Sequence, residues 1–463
     1  MSRLATVLLA LAPCACGGPL VVWHGHSPDR AHRARILEEG GSQRVLVDGE
    51  PGPTVDAVAL TSLRWSARGL AYAARLDGRW HVVHGQELGP PHDAIGEIAT
   101  AGSRLAYAAL DGERWRVVVD GEPGPAFTSL ARGTLRFFAD GRRFVYVGRD
   151  QGRARVVIDG EAGPSFEAIE RLSIGGKGAL IAYVGWEGER ASLVVDSRVR
   201  GTYDEVIALE LASAEPRFAA IVTYEGAPAI VHDGAIVARP PRAARLAISA
   251  DGARVAWVVP HDDREEVWLD GARVAAHDAV TDLGFVPRTG ALLYVARDAE
   301  RVRVVHGGRP GPPALEIVET RASAAGHFGY VARRGAGRFV VIDGALRWRG
   351  EWAGGLALAE RSDRWAFVVR RAGRRFVVTP EGETPVERPF VDTLVLDPSG
   401  AHWAIAVADR RARRVAVVVD GRPHATLDLD EVAAAITQGV EPAEAVRAIV
   451  AGELARALAA HQA

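Results

Sequence analysis

Short apolar, β-branched runs alternate along this chain with two-residue turn signals. In the clearest phrase, at 116–125, three valines lead into Asp120-Gly121, and Glu-Pro-Gly-Pro follows. Such a run predicts a strand that enters a tight turn, because Asp and Gly tolerate the positive φ that these turns need. The phrase returns at 44–53 and 155–164. The pattern therefore predicts repeated β-hairpins.

The turn signals recur with a nearly fixed period of 36 to 39 residues, which is the mark of a repeat architecture. The anchor positions are Asp48, His84, Asp120, Asp159, Asp196, Asp233, Asp270, His306 and Asp343, followed by Thr379 and Asp420. Each period holds four extended segments, which around residue 140 are predicted at 134–138, 143–148, 153–158 and 165–169. Four short strands in a period of this length are typical of a β-propeller blade.

The second segment of each repeat carries an aromatic residue at the same phase. These residues are Tyr72, Tyr107, Tyr146, Tyr183, Trp257, Tyr294, Tyr330 and Phe367, and Ala220 takes the position in the one repeat that lacks an aromatic. Aromatics among Val and Ala are typical of a strand buried between two sheets. We therefore predict that they form the core between blades rather than contacts to a ligand.

The fold class predicted from this pattern is all-β. It is a β-propeller of about 10–11 four-stranded repeats of roughly 37 residues, spanning residues 20–427. Residues 20–56 form the weakly patterned eleventh repeat. Single rings usually have 4–8 blades, which favours two smaller rings. The uninterrupted period instead favours one large ring, and both arrangements stay open, with a slight preference for the single ring.

A family resemblance rests on Ser249-Ala250-Asp251-Gly252 and the aliphatic strand 255–258 that follows. This sequence resembles the repeat signature of TolB-like, WD-repeat-type bacterial propellers. Partial matches stand at 27–30 and 397–400. The resemblance covers roughly residues 20–427 and is to a repeat class. It implies the propeller fold, and it implies no single activity because propellers serve many functions.

The N-terminus has the pattern of an export signal. Arg3 precedes an apolar run at 4–12, and small residues follow around Cys14 and Cys16. The pattern resembles a bacterial lipoprotein signal with lipidation at Cys16, although Pro13 stands where that family usually has Leu. Plain secretion with incidental cysteines is the alternative. The predicted domains are therefore the signal at 1–16, the propeller at 20–427 and a helical tail at 428–463.

The tail changes from strand to helix patterning. Asp428 and Glu431 form a capping box that predicts a short helix ending at Gly439, and Pro442 begins a second helix. The apolar positions of the second helix share one face, and they are Val446, Ile449, Val450, Leu454 and Leu458. We interpret the tail as folded back onto the propeller, and a helix that docks a partner is the alternative.

The sequence contains no recognised motif for catalysis, phosphate binding or metal binding. An acidic residue recurs before the first strand of many repeats, at Asp56, Asp93, Glu167, Asp204, Asp278, Glu316 and Asp392. Because it recurs so often, we interpret it as an acceptor for backbone N–H groups in its own turn, rather than as part of a cation-binding belt. His24 and His26 lack a third ligand, and 261–266 is a charged hairpin tip. His84 and His306 are interpreted as turn residues.

Composition narrows the function further. The chain is 48% hydrophobic and 25% charged, as in soluble globular proteins, and its net charge of −2 gives no reason to expect nucleic acid as a partner. We expect no catalytic residues, no cofactor and no metal. The predicted function is an exported, lipid-anchored module of the bacterial envelope that binds a protein or a glycan and meets the membrane only through its anchor. The alternative is a propeller lyase or hydrolase with polar residues in the central channel.

Overall fold

The computed structural model describes residues 19–27, 31–138, 140–175, 178, 180–409, 414–426 and 442–462. These residues form eleven antiparallel sheets that follow one another in chain order, each a four-stranded meander. In blades 2 and 4 the first strand is split into two pieces, so that their sheets count five strands. The predicted all-β repeat of about 10–11 blades is confirmed, and the count is eleven.

The strand bounds are as follows. Blade 1 comprises Leu20–His26, Arg33–Glu39, Ser42–Val47 and Glu50–Val55; blade 2, Ala57–Val58, Arg64–Ser66, Gly69–Leu76, Arg79–His84 and Glu87–Leu88; blade 3, Ala94–Ala101, Arg104–Asp111, Arg114–Val119 and Glu122–Pro123; blade 4, Ser129–Leu130, Arg136–Phe137, Phe144–Asp150, Arg153–Ile158 and Glu161–Phe166. Blade 5 comprises Ala168–Gly175, Leu180–Glu187, Arg190–Val195 and Arg198–Tyr203; blade 6, Glu205–Leu211, Phe218–Tyr224, Ala227–His232 and Ala235–Ala238; blade 7, Arg245–Ile248, Val255–His261, Arg264–Leu269 and Ala272–His277; blade 8, Ala279–Phe285, Leu292–Asp298, Arg301–His306 and Arg309–Pro310. Blade 9 comprises Glu316–Ala322, Phe328–Arg334, Gly337–Ile342 and Ala345–Gly350; blade 10, Trp352–Leu358, Trp365–Arg371, Arg374–Thr379 and Gly382–Val386; blade 11, Val395–Leu396, Trp403–Asp409, Arg414–Val419 and Arg422–Thr426. Two 3-10 turns, Leu60–Ser62 and Val391–Thr393, and the α-helix Pro442–Gln462 complete the described elements.

The fourth strand starts earlier than the sequence pattern predicts. In blade 4 the predicted third segment, 153–158, is observed as predicted. The fourth strand begins at Glu161, directly after the Asp159-Gly160 turn, instead of at residue 165. The predicted fourth segment joins the end of this strand to the start of blade 5, because only a short bend separates consecutive blades.

The recurring Asp does more than form a turn. Asp159 lies at φ +52° at the end of the third strand. Its Oδ1 accepts a hydrogen bond from the backbone N–H of Phe144 at 2.9 Å, and its Oδ2 accepts one from Nε of Arg143 at 2.8 Å. The carboxylate therefore fastens the start of the second strand to the end of the third. The same pair of bonds, with Arg or His as the side-chain partner, is made by Asp48, Asp120, Asp233, Asp270, Asp343 and Asp420.

The predicted aromatics are buried between blades, as expected. Tyr146 packs against Val117 and Phe127 of the preceding blade. Tyr183 occupies the same place one blade later, against Val156 of blade 4. Both side chains are at most 1% exposed. Burial of such large side chains contributes to the stability of the interfaces that contain them.

Apolar clusters of this kind join every pair of consecutive blades from blade 1 to blade 11. The repeats therefore form one uninterrupted array. In the described part of the chain, no cluster joins blade 11 to blade 1. The outer face of blade 11 is instead covered by the helix Pro442–Gln462, whose Val450 and Leu454 pack on Ala404 and Val417. The predicted second helix and its apolar face are confirmed, whereas the predicted helix at 428–439 lies outside the described residues.

Blade 1 ends the array differently. In its second strand Ala34 and Ile36 face blade 2 and are fully buried. Alternate residues of a strand point to opposite sides, so Arg35 faces away from blade 2. Arg35 precedes Asp48 by the same distance at which Tyr146 precedes Asp159, and it therefore takes the aromatic position of the repeat. A charged side chain at this phase suits a terminal repeat, which needs polar groups on its outer face in order to stay soluble.

Candidate functional site

The predicted lipidation residue, Cys16, lies outside the described residues. Across the described ranges, no helix is long and apolar enough to cross a membrane. The same ranges contain no group of three or more His, Cys, Asp or Glu side chains that could hold a metal ion. His24 and His26 lie on the first strand of blade 1, opposite Arg35 and Arg33.

The recurring acidic residues have structural roles. The Oδ2 atoms of Asp93, Asp204 and Asp278 accept hydrogen bonds from backbone N–H groups at 2.7, 2.9 and 2.6 Å. The donors are Gly112, Gly226 and Ala299, and Glu167 accepts in the same way from Gly188 at 3.1 Å. In these four residues the predicted backbone bonding is observed, but the donors lie in the next hairpin of the same blade rather than in the acidic residue's own turn. Among the described residues no backbone N–H donates to the carboxylates of Asp56, Glu316 and Asp392, and Glu316 instead pairs with Arg333.

The charged segment 261–266 is also tied into the fold. Glu265 Oε2 accepts a hydrogen bond from the Val280 N–H at 2.6 Å, and Glu265 forms an ion pair with Arg245 at 3.1 Å. Glu266 is paired with Arg273 at 2.8 Å, and the Arg273 guanidinium lowers the pKa of this carboxyl. These two carboxylates join strands, and residues 261–264 of the segment are exposed.

The two histidines at anchor positions are the last residues of the third strands of blades 2 and 8, and the turns follow at Gly85 and Gly307, so their prediction as turn residues is wrong by one position. His84 Nε2 lies 2.7 Å from Oγ of Ser66, and burial lowers the pKa of His84. The ring of His306 lies 4.2 Å from that of Phe328, and its buried Nε2 has no hydrogen-bond partner among the described residues. Burial lowers the pKa of His306 as well.

A polar constellation that the sequence did not reveal lies between blades 7 and 8. His277 Nδ1 is 2.9 Å from Oδ2 of Asp298, and His277 Nε2 is 3.4 Å from the hydroxyl of Tyr294. His277 and Tyr294 line a cavity of about 600 Å³ together with Arg254 and Thr289. An aspartate, a histidine and a tyrosine in this order are capable of general acid–base chemistry.

A second copy of this constellation lies between blades 2 and 3, which points to a structural role. His92 Nδ1 is 3.0 Å from Asp111, and its ring contacts that of Tyr107 edge-on. Asp298 and Asp111 both end the second strand of a blade. In two further blades the acid at this place pairs with an arginine of the preceding blade, as in Arg114–Asp150 and Arg153–Glu187, at 2.8 and 2.7 Å. The pairs join neighbouring blades at their rim. In Arg114–Asp150 and Arg153–Glu187 the basic and acidic residues are 34 to 36 positions apart, and this spacing is the sequence signal by which such pairs could have been predicted.

A cavity of about 620 Å³ lies between blades 3 and 4, and we call it the inter-blade cavity. It lies where the first strand of blade 4 leaves the sheet between Leu130 and Arg136. Thr134 stabilises the segment that leaves the sheet: its hydroxyl donates a hydrogen bond to the Ala131 carbonyl at 2.6 Å and accepts one from the Val147 N–H at 3.0 Å. The lining side chains include Ile95, Glu97, Ala108, Trp115, Ser129, Leu130, Arg132 and Tyr146.

Tyr146 also lines a second cavity, of about 470 Å³, together with Arg104 and Gly124. The buried Tyr146 hydroxyl has no hydrogen-bond partner among the described residues. Burial raises the pKa of Tyr146, so the hydroxyl stays protonated. Three other tyrosines of the same phase share this property, and they are Tyr72, Tyr183 and Tyr330. The unpaired hydroxyl is thus a feature of the repeat rather than of one site.

Comparison with known proteins gives no family. No protein-family model matches the chain, and no curated protein matches it. Among solved structures, the dihydro-heme d1 dehydrogenase NirN in complex with DHE is 15% identical, with 59% of this chain and 70% of that chain covered at a TM-score of 0.30. The Dos1 propeller is 13% identical over 70% and 91% of the two chains, with a TM-score of 0.25. The β-propeller domain of the Trilobed protease from Pyrococcus furiosus is 12% identical over 55% and 94%, with a TM-score of 0.27.

These likenesses are too weak to indicate a function, so the class of the protein follows from its own architecture. The chain is an all-β repeat protein of the β-propeller type, and its described residues form eleven blades and one C-terminal helix. Its candidate sites are cavities between blades. Most of its polar pairs are structural, because they connect strands of one blade or join neighbouring blades.

Proposed function

We propose that this protein is an exported, lipid-anchored β-propeller that acts as a binding or scaffolding module for a protein or a glycan in the bacterial envelope. The observation that supports it best is the pair of cavities of about 620 and 600 Å³ between blades, lined mainly by apolar side chains with a few polar groups. This is the composition of a ligand-binding pocket. Short hairpin turns leave such clefts accessible.

An enzymatic function is the second candidate, and the Asp298–His277–Tyr294 arrangement is the observation in its favour. The related His92–Asp111 pair between blades 2 and 3 weighs against it. A structural contact that recurs between blades accounts for both histidine–aspartate pairs without catalysis. The substitution His277→Gln decides between them. Loss of a hydrolase or lyase turnover with the fold intact would establish the enzyme, whereas a panel of substrates without turnover supports the binding module.

The anchor is tested separately from binding. Intact-mass measurement of the mature protein from bacterial membranes should show an acylated N-terminal Cys16. The matched variant Cys16→Ser should be released from membranes by washing, because the lipid is its proposed attachment. A mature chain that begins at a residue other than cysteine would refute the lipid anchor and leave the binding proposal to its own test.

A further inference from the structure

We infer that the inter-blade cavity binds a pyranose ring of a neutral glycan. This inference deepens the proposed function and rests on it, since it selects the glycan from the two partner classes. It is argued from the wall of the cavity, from the polar groups at its rim and from a comparison with the equivalent place in blade 2.

The apolar wall is built around Trp115. This residue is the second of the third strand in blade 3, and its backbone pairs with Phe127 outside the regular ladder. Gly96 lies beneath the indole: a Cβ at Gly96 would lie 3.2 Å from Cζ3 of Trp115. The indole is half-buried and borders the cavity with Ile95 and Leu130. A flat aromatic face of this kind stacks well against the C–H face of a sugar ring.

The rim carries polar groups with unused hydrogen-bonding capacity. One carboxylate oxygen of Glu97 accepts a hydrogen bond from the Gly133 N–H at 3.1 Å, which fixes the orientation of the carboxylate. Within the described ranges, its other oxygen has no hydrogen-bond partner, and the guanidinium of Arg132 and the hydroxyl of Ser129 have none either. The rim thus offers acceptors from Glu97, donors from Arg132 and a hydroxyl that does both.

This set of groups matches a neutral polyol better than an ion. A carboxylate and a guanidinium on one rim largely cancel each other's charge, so neither an anion nor a cation is favoured overall. Sugar hydroxyl groups both donate and accept, and they can satisfy acceptor and donor side chains at the same time. An apolar side chain of a protein partner would fill the wall but leave Glu97 and Arg132 without partners.

Blade 2 provides a matched comparison. Trp80 is also the second residue of a third strand, is also half-buried, and its backbone pairs with His92 as that of Trp115 pairs with Phe127. Its surroundings differ, because Arg79 and Asp93 form an ion pair at 3.1 Å and His92 is paired with Asp111. The polar groups near Trp80 are therefore committed to one another. Near Trp115 the corresponding Arg114 is likewise paired, with Asp150 at 2.8 Å, so the difference between the two places rests on the rim groups Glu97, Arg132 and Ser129.

The test is isothermal titration calorimetry of the full mature chain with cellobiose, maltose and N,N′-diacetylchitobiose. We expect at least one disaccharide to bind, Trp115→Ala to weaken that binding about tenfold or more, and Trp80→Ala to leave it unchanged. Glu97→Gln and Arg132→Ala should each weaken it several-fold. Because these two residues lie at the rim, their variants keep the test valid even if Trp115→Ala does not fold.

The outcomes separate the inference from the proposed function. Saccharide binding that Glu97→Gln, Arg132→Ala and Trp115→Ala all leave unchanged would overturn this site but support a glycan-binding module. If no disaccharide binds and a purified envelope protein binds in a manner lost with Trp115→Ala, the cavity takes a protein side chain and the inference is wrong. If neither class of partner binds, the proposed function fails together with the inference.

Discussion

Gly124 lies directly against the hydroxyl of Tyr146 from the next blade: a Cβ at residue 124 would be 2.9 Å from Oη and 3.2 Å from the Val117 carbonyl oxygen. The same contact recurs where Gly52, Gly163 and Gly311 face the next tyrosine of the series. The glycine of the repeated Glu-Pro-Gly-Pro phrase therefore provides space for an aromatic side chain of the neighbouring blade. Neither residue can be enlarged alone without a clash.

We expect Gly124→Ala to lower the free energy of unfolding by about 1–3 kcal/mol, because a methyl group is forced into a packed interface. The control is Gly284→Ala, where a Cβ would meet nothing within 4 Å. That variant should stay within about 0.5 kcal/mol of the wild type in chemical denaturation. Adding Tyr146→Phe should partly rescue Gly124→Ala, since it removes the atom nearest to the new methyl. Equal effects of the two alanine substitutions would contradict the packing argument.

Truncating the aromatic itself should be more costly. Tyr146 is 1% exposed and lies in the core between blades 3 and 4, so Tyr146→Ala should destabilise by about 3–5 kcal/mol. Tyr146→Phe should not destabilise, because the hydroxyl that it removes has no hydrogen-bond partner among the described residues. Thermal denaturation of both variants checks this. A melting curve of Tyr146→Ala that coincides with the wild type would refute the role of the aromatic series.

Patterns that lie within one repeat were predictable from the sequence. The Asp159-Gly160 turn and the buried phase of Tyr146 follow from local chemistry that each copy repeats. Features that depend on two blades were not predictable. The Thr134 hydroxyl accepts the hydrogen bond of the Val147 N–H only because the first strand of blade 4 leaves its sheet at this point. The inter-blade cavity depends on how Trp115 of blade 3 and Leu130 of blade 4 are placed relative to each other. The sequence shows Arg35 at the position of the repeat that is usually aromatic. That this side chain faces away from the array follows only from the structure, in which its strand neighbours Ala34 and Ile36 face blade 2.

The C-terminal helix should behave as the end cap of the array. Leu454 is 2% exposed and packs with Val450 on blade 11. We expect Leu454→Ala to lower the free energy of local unfolding of blade 11 by about 2–5 kcal/mol. Hydrogen exchange should then accelerate in strand Trp403–Asp409 while blade 5 stays protected, because repeats interact mainly with their neighbours. Ala451→Ser, at an exposed position of the same helix, is the control and should change neither region. Uniform acceleration across all blades would instead indicate a single cooperative unit.

His306 should make the interface between blades 8 and 9 sensitive to acid. Burial against Phe328 lowers the pKa of His306 in the folded protein, while an unfolded histidine has a pKa of about 6.5. The fold therefore favours the neutral ring, and its contribution to stability is complete above pH of about 6.5 and is lost as the pH falls below that value, because protons then bind the unfolded chain preferentially. His306→Phe removes this titration, and the backbone permits it because Gly307, not His306, has the positive φ of the turn. The melting temperature of His306→Phe relative to wild type should rise as the pH is lowered from about 7.5 to about 5. A difference between His306→Phe and wild type that does not change with pH would show that the His306 ring does not titrate differently in the folded and unfolded states.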